Sequence, residues 1–281
     1  MAPARDLLAI PMHTRGETVF AEYLAASGIP FDFERAQTGR SKRPDFAINW
    51  NGVDCFFDVK DREKSDLVED DPLAPPGDDE MLFGGAIDPP YRWIREQIEQ
   101  GRRKFREFKG SPCAIVMFPA DGWDHDLREP DFALGAMYGD YGIVIRRDPT
   151  TGRFDGDDAE SHFLDKGKMI RPRWRTPQNT TVSALLTLRS VNIGQARLRR
   201  YIDQHYPDLD FWWDPTIQSK VDFNISERHT GVIVWENAFA ATPLPADIFR
   251  GPYDERWGRE GNRIRRVHLG AGVAECLQGD E

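Results

Sequence analysis

The sequence predicts an α/β protein whose core is a mixed sheet flanked by helices, and three observations carry that prediction. Asn51-Gly52 sits between two runs of alternating apolar residues, the signature of a two-residue hairpin, because both central positions of such a turn need positive φ. Cys113 to Phe118, CAIVMF, is a continuous apolar run suited to a strand covered on both faces. Between them lies a helical pattern of the kind a parallel crossover requires.

Taken in order, Gly16 to Ser27 reads as an amphipathic helix ended by Gly28, with Val19, Phe20, Tyr23 and Leu24 as its apolar stripe. Glu17 falls at the border of that stripe. It is placed either to reach a site on the sheet or, as a first-turn acid, to favour the helix dipole. Ile29 to Arg35 alternates as a strand and leads through a basic loop holding Arg40, Lys42 and Arg43. The hairpin follows. With Trp50 opposite Val53, Asn49 faces Asp54, Phe46 faces Phe57 and Asp45 faces Asp58. Asp54, Phe56, Asp58 and Lys60 share one face; Val53, Cys55, Phe57 and Val59 share the other.

Directly opposed like charges are destabilising, so the two aspartates call for a compensating cation. A divalent metal between them with the Lys60 ammonium alongside is one reading. A half-exposed hairpin with an Asp-rich face is the other.

Asp66 to Glu80 reads as an acidic, proline-rich loop. Tyr91 to Lys109 is a helix with Ile94, Ile98, Phe105 and Phe108 on its core face; Gln97 and Lys104 flank that face, as solvated polar positions or as groups aimed at the aspartates. After CAIVMF, Phe132 to Met137 reads as a helix and Tyr141 to Arg146 as a strand, whereas Asp148 to Asp158 reads as a surface loop lacking the ligand pattern of a calcium site. In the C-terminal third, Thr180 to Leu188 and Gln195 to His205 look helical, Ile217 to Ile225 looks like a strand, and Gly231 to Trp235 like a buried one. The basic stretches containing Arg173 and, among aromatics, Arg263 and Arg266 suit either phosphate contacts and base stacking or Arg stems laid on a folded surface.

The chain has 281 residues, a formal net charge of -10, and three scattered cysteines, which exclude a disulfide framework or a cysteine-based zinc site. No apolar run approaches the roughly 20 residues of a membrane span, and no signal-peptide pattern opens the chain. A cytoplasmic protein with no membrane partner is expected. The net charge alone argues against nucleic-acid binding, but much of the acidity is confined to the 66–80 loop. Walker, GxGxxG and HExxH motifs are absent.

Pro44-Asp45 followed by Asp58-Val59-Lys60, on a hairpin preceded by a Glu-bearing helix, resembles the PD-(D/E)XK nuclease superfamily. The order of helix, three strands, helix and strand is that of its restriction-endonuclease-like core, and the resemblance covers roughly residues 14–120. It implies a catalytic set of Asp45, Asp58, Lys60 and Glu17, with Asp45, Asp58, the Val59 backbone carbonyl and Glu17 as ligands of Mg²⁺, for which Mn²⁺ can substitute. Lys60 would orient and help deprotonate the attacking water. Asp58 stands where many members have Glu.

The expected function is hydrolysis of phosphodiester bonds, in DNA first. Alternatives are RNA as substrate, or a nuclease-like module that binds nucleic acid or protein without cleaving. Arg40, Lys42, Arg43, Gln97, Arg103, Lys104, Arg173, Arg263 and Arg266 are the candidate nucleic-acid contacts. Residues 1–165 are expected to form the nuclease core with the 66–80 insertion, and 166–281 an α+β C-terminal extension packed on it; a homodimer is left open.

Overall fold

In the computed structural model, the residues described are 13–34, 42–62, 91–119, 130–144, 160–171, 176–206, 220–260 and 263–277. Helix α1 (Arg15–Ala26) begins at Thr14, whose hydroxyl accepts from Glu17 N–H while the Glu17 carboxylate accepts from the Thr14 N–H, a capping box. It ends at Gly28, whose φ of +67 lets the Ile29 N–H reach back to the Leu24 carbonyl at 2.8 Å.

A short β1 (Asp32–Phe33) pairs antiparallel with β2 (Phe46–Trp50), and β2 with β3 (Val53–Asp61). The hairpin register is the one the turn dictates, from Trp50 opposite Val53 to Phe46 opposite Phe57. Asn51 and Gly52 both have positive φ, 50 and 84. Because β3 has nine residues and β2 only five, its last residues run on beyond β2.

Helix α2 (Tyr91–Phe105), continued by a 3₁₀ turn (Arg106–Phe108), returns the chain to β4 (Cys113–Phe118), parallel to β3. Trp93, Ile94, Ile98, Phe105 and Phe108 bury against Phe56, Ile115 and Met117 on one side of the sheet. On the other side, Phe20, Tyr23 and Leu24 of α1 pack on Phe46, Phe57 and Val59. The helices therefore cover opposite faces, as the alternation of β3 requires.

Past β4 come α3 (Pro130–Tyr138), a separate two-stranded sheet of β5 (Gly139–Val144) and β6 (Glu160–Lys166), and a second small one of β7 (Ile170–Arg171) and β8 (Thr176–Pro177). Strand β9 (Ala184–Asn192) then adds parallel to β4. After α4 (Ile193–His205), β10 (Arg228–Glu236), β11 (Glu255–Glu260) and β12 (Arg263–Leu269) complete an eight-stranded sheet in the order β1-β2-β3-β4-β9-β10-β11-β12, and α5 (Ala271–Leu277) follows. One sheet thus runs through residues on both sides of position 165.

Three readings of the sequence are corrected. Thr180 to Leu188 is not helical: residues 184–188 begin β9, where Ala184 to Leu188 are buried in a central strand. In the 217–225 stretch, the described residues 220–225 form no strand; Val221, Phe223 and Ile225 pack on Leu198 and Ile202 of α4 without a ladder partner. Of Ile29 to Arg35, the described residues 29–34 hold strand only at Asp32 and Phe33, and Arg35 lies outside the described residues. The 66–80 loop and Asp148 to Asp158 lie outside the described residues.

Buried charge in the second half of the sheet is paired. Arg256, fully buried on β11, donates to Glu236 at 2.6 Å and to the Ile248 and Leu244 carbonyls at 2.9 and 3.2 Å. Asp254 accepts from Tyr23 Oη at 2.7 Å, Val232 N–H at 3.0 Å and Gly251 N–H at 2.6 Å, tying α1 to β10. No helix among the described residues is long and apolar enough to cross a membrane.

Candidate functional site

The site lies where β3 outruns β2. Asp45 lies just before β2, beyond the last paired residues Phe46 and Phe57, and its N–H donates to the Phe57 carbonyl at 3.0 Å, one residue out of the hairpin register. Its Oδ2 accepts from the Val59 N–H at 2.7 Å, fixing the carboxylate against the β3 backbone. Asp58, 1 % exposed, points to the same face as Phe56, beneath α2. Lys60, two residues on, places Nζ 3.0 Å from Asp58 Oδ2, close enough for an ion pair but without hydrogen-bond alignment, so this buried oxygen is left without a hydrogen bond.

The cation between the two aspartates is Lys104. From the last turn of α2 its Nζ donates to Asp45 Oδ1 at 2.8 Å and makes a short contact with Asp58 Oδ1. Two carboxylates and two ammonium groups make a cluster of zero formal charge, removing the repulsion that the hairpin register imposes.

The pair is electrostatically asymmetric. Burial first, then the neighbouring Asp58 charge, pushes the Asp45 carboxyl up to about 6, against the opposing pull of Lys104. For Asp58 burial works upward too, but the Lys104 and Lys60 charges outweigh it and hold the carboxyl below its usual value. Lys104 mirrors this: burial favours its neutral form, Asp58 and Asp45 favour the ammonium, and the net shift is upward.

Glu17 is not brought to this cluster. It belongs to α1, on the opposite face of the sheet, and its carboxylate is engaged by the His13 and Thr14 N–H groups at 2.7 and 3.1 Å. The helix start claims it. A residue not anticipated from the sequence stands nearby: Asp61 accepts from the Gly16 N–H and the Thr14 hydroxyl, both at 2.9 Å, joining the end of β3 to α1. The alternation that puts Lys60 beside Asp58 also puts Asp61 beside Val59, so the signal was present.

The candidate nucleic-acid contacts divide. Lys42 donates from Nζ to the Arg103 carbonyl at 3.0 Å, which sets a cation at the end of α2, and exposed Arg43 and Arg103 belong to the same neighbourhood. Gln97 is buried on α2, seven residues before Lys104 and so on the same helical face. Arg266 pairs with Glu255 at 3.6 Å on the far edge of the sheet, five strands or about 24 Å from β3 at the usual strand spacing. Arg263 opens the same strand, so neither shares a footprint with the aspartates. Arg40 and Arg173 lie outside the described residues.

Among the described residues, no three His, Cys, Asp or Glu side chains gather in an arrangement able to hold a metal ion. What meets is a pair. Its chemistry, two hard carboxylates with one buried oxygen lacking a hydrogen bond, fits a hard cation that completes its shell with water and phosphate, provided the Lys104 ammonium gives way. A cleft of about 670 Å³ opens elsewhere, at the turn end of the hairpin, between Trp50, Tyr23, His229 and Tyr253. It is remote from the charged cluster, and none of Asp45, Asp58, Lys60 and Lys104 lines it.

Compared with protein-family models, with curated proteins and with solved structures, the chain finds no match.

Proposed function

We propose that the protein is a Mg²⁺-dependent nuclease hydrolysing phosphodiester bonds, in DNA first. The observation that carries this reading is the convergence of Asp45, Asp58 and Lys60 at the end of a hairpin, with Lys60 3.0 Å from Asp58. The resemblance to the PD-(D/E)XK signature supports it. Mg²⁺ would be held by Asp45 and Asp58, with the Val59 carbonyl as a further oxygen; once bound, it polarises the scissile phosphate and acidifies a water.

The chain's own groups do the rest. The Val59 N–H holds Asp45 in one orientation through Oδ2, so Oδ1, which Lys104 occupies, is presented to the pair without a search. Burial of Asp58 removes competing solvent from its side of the pair and strengthens each interaction there. Lys60, 27 % exposed, can hold a water on the open side and steady negative charge as it develops on the phosphate. Exposed Arg43 and Arg103 offer positive charge to the flanking backbone.

The test is incubation with plasmid, single-stranded DNA and RNA in Mg²⁺ or Mn²⁺, comparing wild type with Lys60→Ala and Asp45→Ala. A loss of at least about 100-fold is expected in each, the scale of a lost general base or electrostatic stabiliser. Equal activity in the variants sinks the reading.

A second reading rests on Lys104, which already neutralises the pair, and on Glu17, which the helix cap retains. It makes the protein a nuclease-like module that binds nucleic acid or protein without cleaving. Calorimetry separates the two, since this reading requires no Mg²⁺ or Mn²⁺ uptake dependent on Asp45 and Asp58.

A further inference from the structure

Lys104 stands where a metal ion between the aspartates would stand. The cluster it completes is neutral, with two carboxylates against two ammonium groups, and Lys104 touches both carboxylates while Lys60 touches only Asp58. A divalent cation entering this cluster meets an ammonium in its place and leaves an excess of two positive charges. A phosphodiester monoanion and a hydroxide would together cancel that excess.

Lys104 also has room to move. Its side chain is 22 % exposed, it rides on a flexible four-carbon stem, and it belongs to the last turn of α2, where Arg103 is exposed.

We propose that Lys104 is an internal counter-ion which a divalent cation must displace from the Asp45/Asp58 pair, so that metal and phosphate backbone bind cooperatively, the displaced ammonium passing to a phosphate. The inference deepens the nuclease reading and rests on it. In the absence of a polyanion the metal binds weakly, because it competes with a tethered cation of the chain. In its presence the same lysine contributes attraction instead of competition. Metal and phosphate then raise each other's affinity by the same factor.

The experiment is calorimetric titration of Mn²⁺ at pH 7.5 into wild type, Lys104→Met, Lys104→Arg and the double variant Asp45→Asn/Asp58→Asn. Each is run with and without saturating deoxythymidine 3′,5′-bisphosphate, which carries phosphates but no phosphodiester to cleave; Mn²⁺ uptake by the nucleotide alone is subtracted. Circular dichroism checks that each variant is folded.

Wild type is expected to bind Mn²⁺ weakly alone and at least about tenfold more tightly with the bisphosphate. Lys104→Met is expected to bind Mn²⁺ alone at least about tenfold more tightly than wild type and to lose most of the coupling, whereas Lys104→Arg keeps it. Equal Mn²⁺ affinities in wild type and Lys104→Met, with binding still abolished in the double variant, overturn the role of Lys104 and leave the metal site standing. Absence of Mn²⁺ binding in every form, or binding indifferent to the double variant, overturns the metal site itself.

Discussion

At Asp45 and Asp58 the same side chain is driven in opposite directions by its surroundings. Asp45, raised to about 6, is stabilising relative to the unfolded chain while protonated, and that contribution is lost as pH rises through about 6. Asp58, held low by two ammonium groups, contributes stability above the ordinary carboxylate range that is lost only as pH falls through its depressed value. Between pH 5 and 7.5 the net change at this site is therefore a loss. Thermal melts should show Asp45→Asn removing that decline, and carboxyl NMR should place the Asp45 midpoint near 6, falling when Mg²⁺ is added if the ion takes this site. Asp58→Ala strands Lys60 and Lys104 beside a buried hole. It is expected to lower unfolding free energy in urea by about 3 kcal/mol, the lower end for breaking a buried pair, since both lysines can turn to water.

Among the elements, α2 sets the height of Lys104 above the sheet, and Gly101 sets the height of α2. A Cβ at Gly101 would stand 2.5 Å from Ile115 Cδ1 and 2.8 Å from its Cγ1, so the helix rests on β4 with no space for a methyl. Gly101→Ala gains up to about 1 kcal/mol of helix propensity but overpacks a core, at about 1–3 kcal/mol. A net loss of about 1 kcal/mol is expected in denaturant titrations, and Ile115→Val in the same chain should recover part of it. An equal effect of Ile115→Val in the Gly101→Ala background and in wild type would mean that the two residues do not share this contact.

The same elements show why parts of the site were legible in the sequence. The Asn51-Gly52 turn determines register locally as far as Phe46 opposite Phe57, so the nearness of Asp45 to Asp58 and the facing of Lys60 were legible from two residues and strand alternation, although Asp45 bonds to the Phe57 carbonyl and does not pair directly opposite Asp58. Lys104 needed the packing of α2 on β4, which periodicity places only to a face; hence it read as a flanking group and not as the bridge. Glu17 was ambiguous because a capping box and a ligand make the same demand on sequence, an acid in the first helical turn.

Across the whole molecule, the misread segment is the one that joins its halves. Ala184 to Leu188 is buried on both sides of the sheet and so shows no strand alternation, and its Ala and Leu content fits a helix equally well. The edge hairpin of β11 and β12 was obscured in another way, by exposed arginines along its outer strand. Since β9 pairs with β4 through Ala114–Ala184 to Met117–Thr187, a fragment ending at residue 165 would bare the central edge of the sheet. Such a fragment is expected to lack a cooperative melt and to aggregate. A soluble, cooperatively melting 1–165 fragment would show the first half to be self-sufficient.

That parallel joint between β4 and β9 also fixes an order of events in the cell. Strands β1 to β4 leave the ribosome well before β9 can be made, and no hairpin can close a parallel pair early. For the time taken to synthesise the intervening chain, the apolar edge of β4 has no native partner. A nascent chain paused there is the form on which a holding chaperone would act, and slowing translation between β4 and β9 should lower the soluble yield without altering the finished fold.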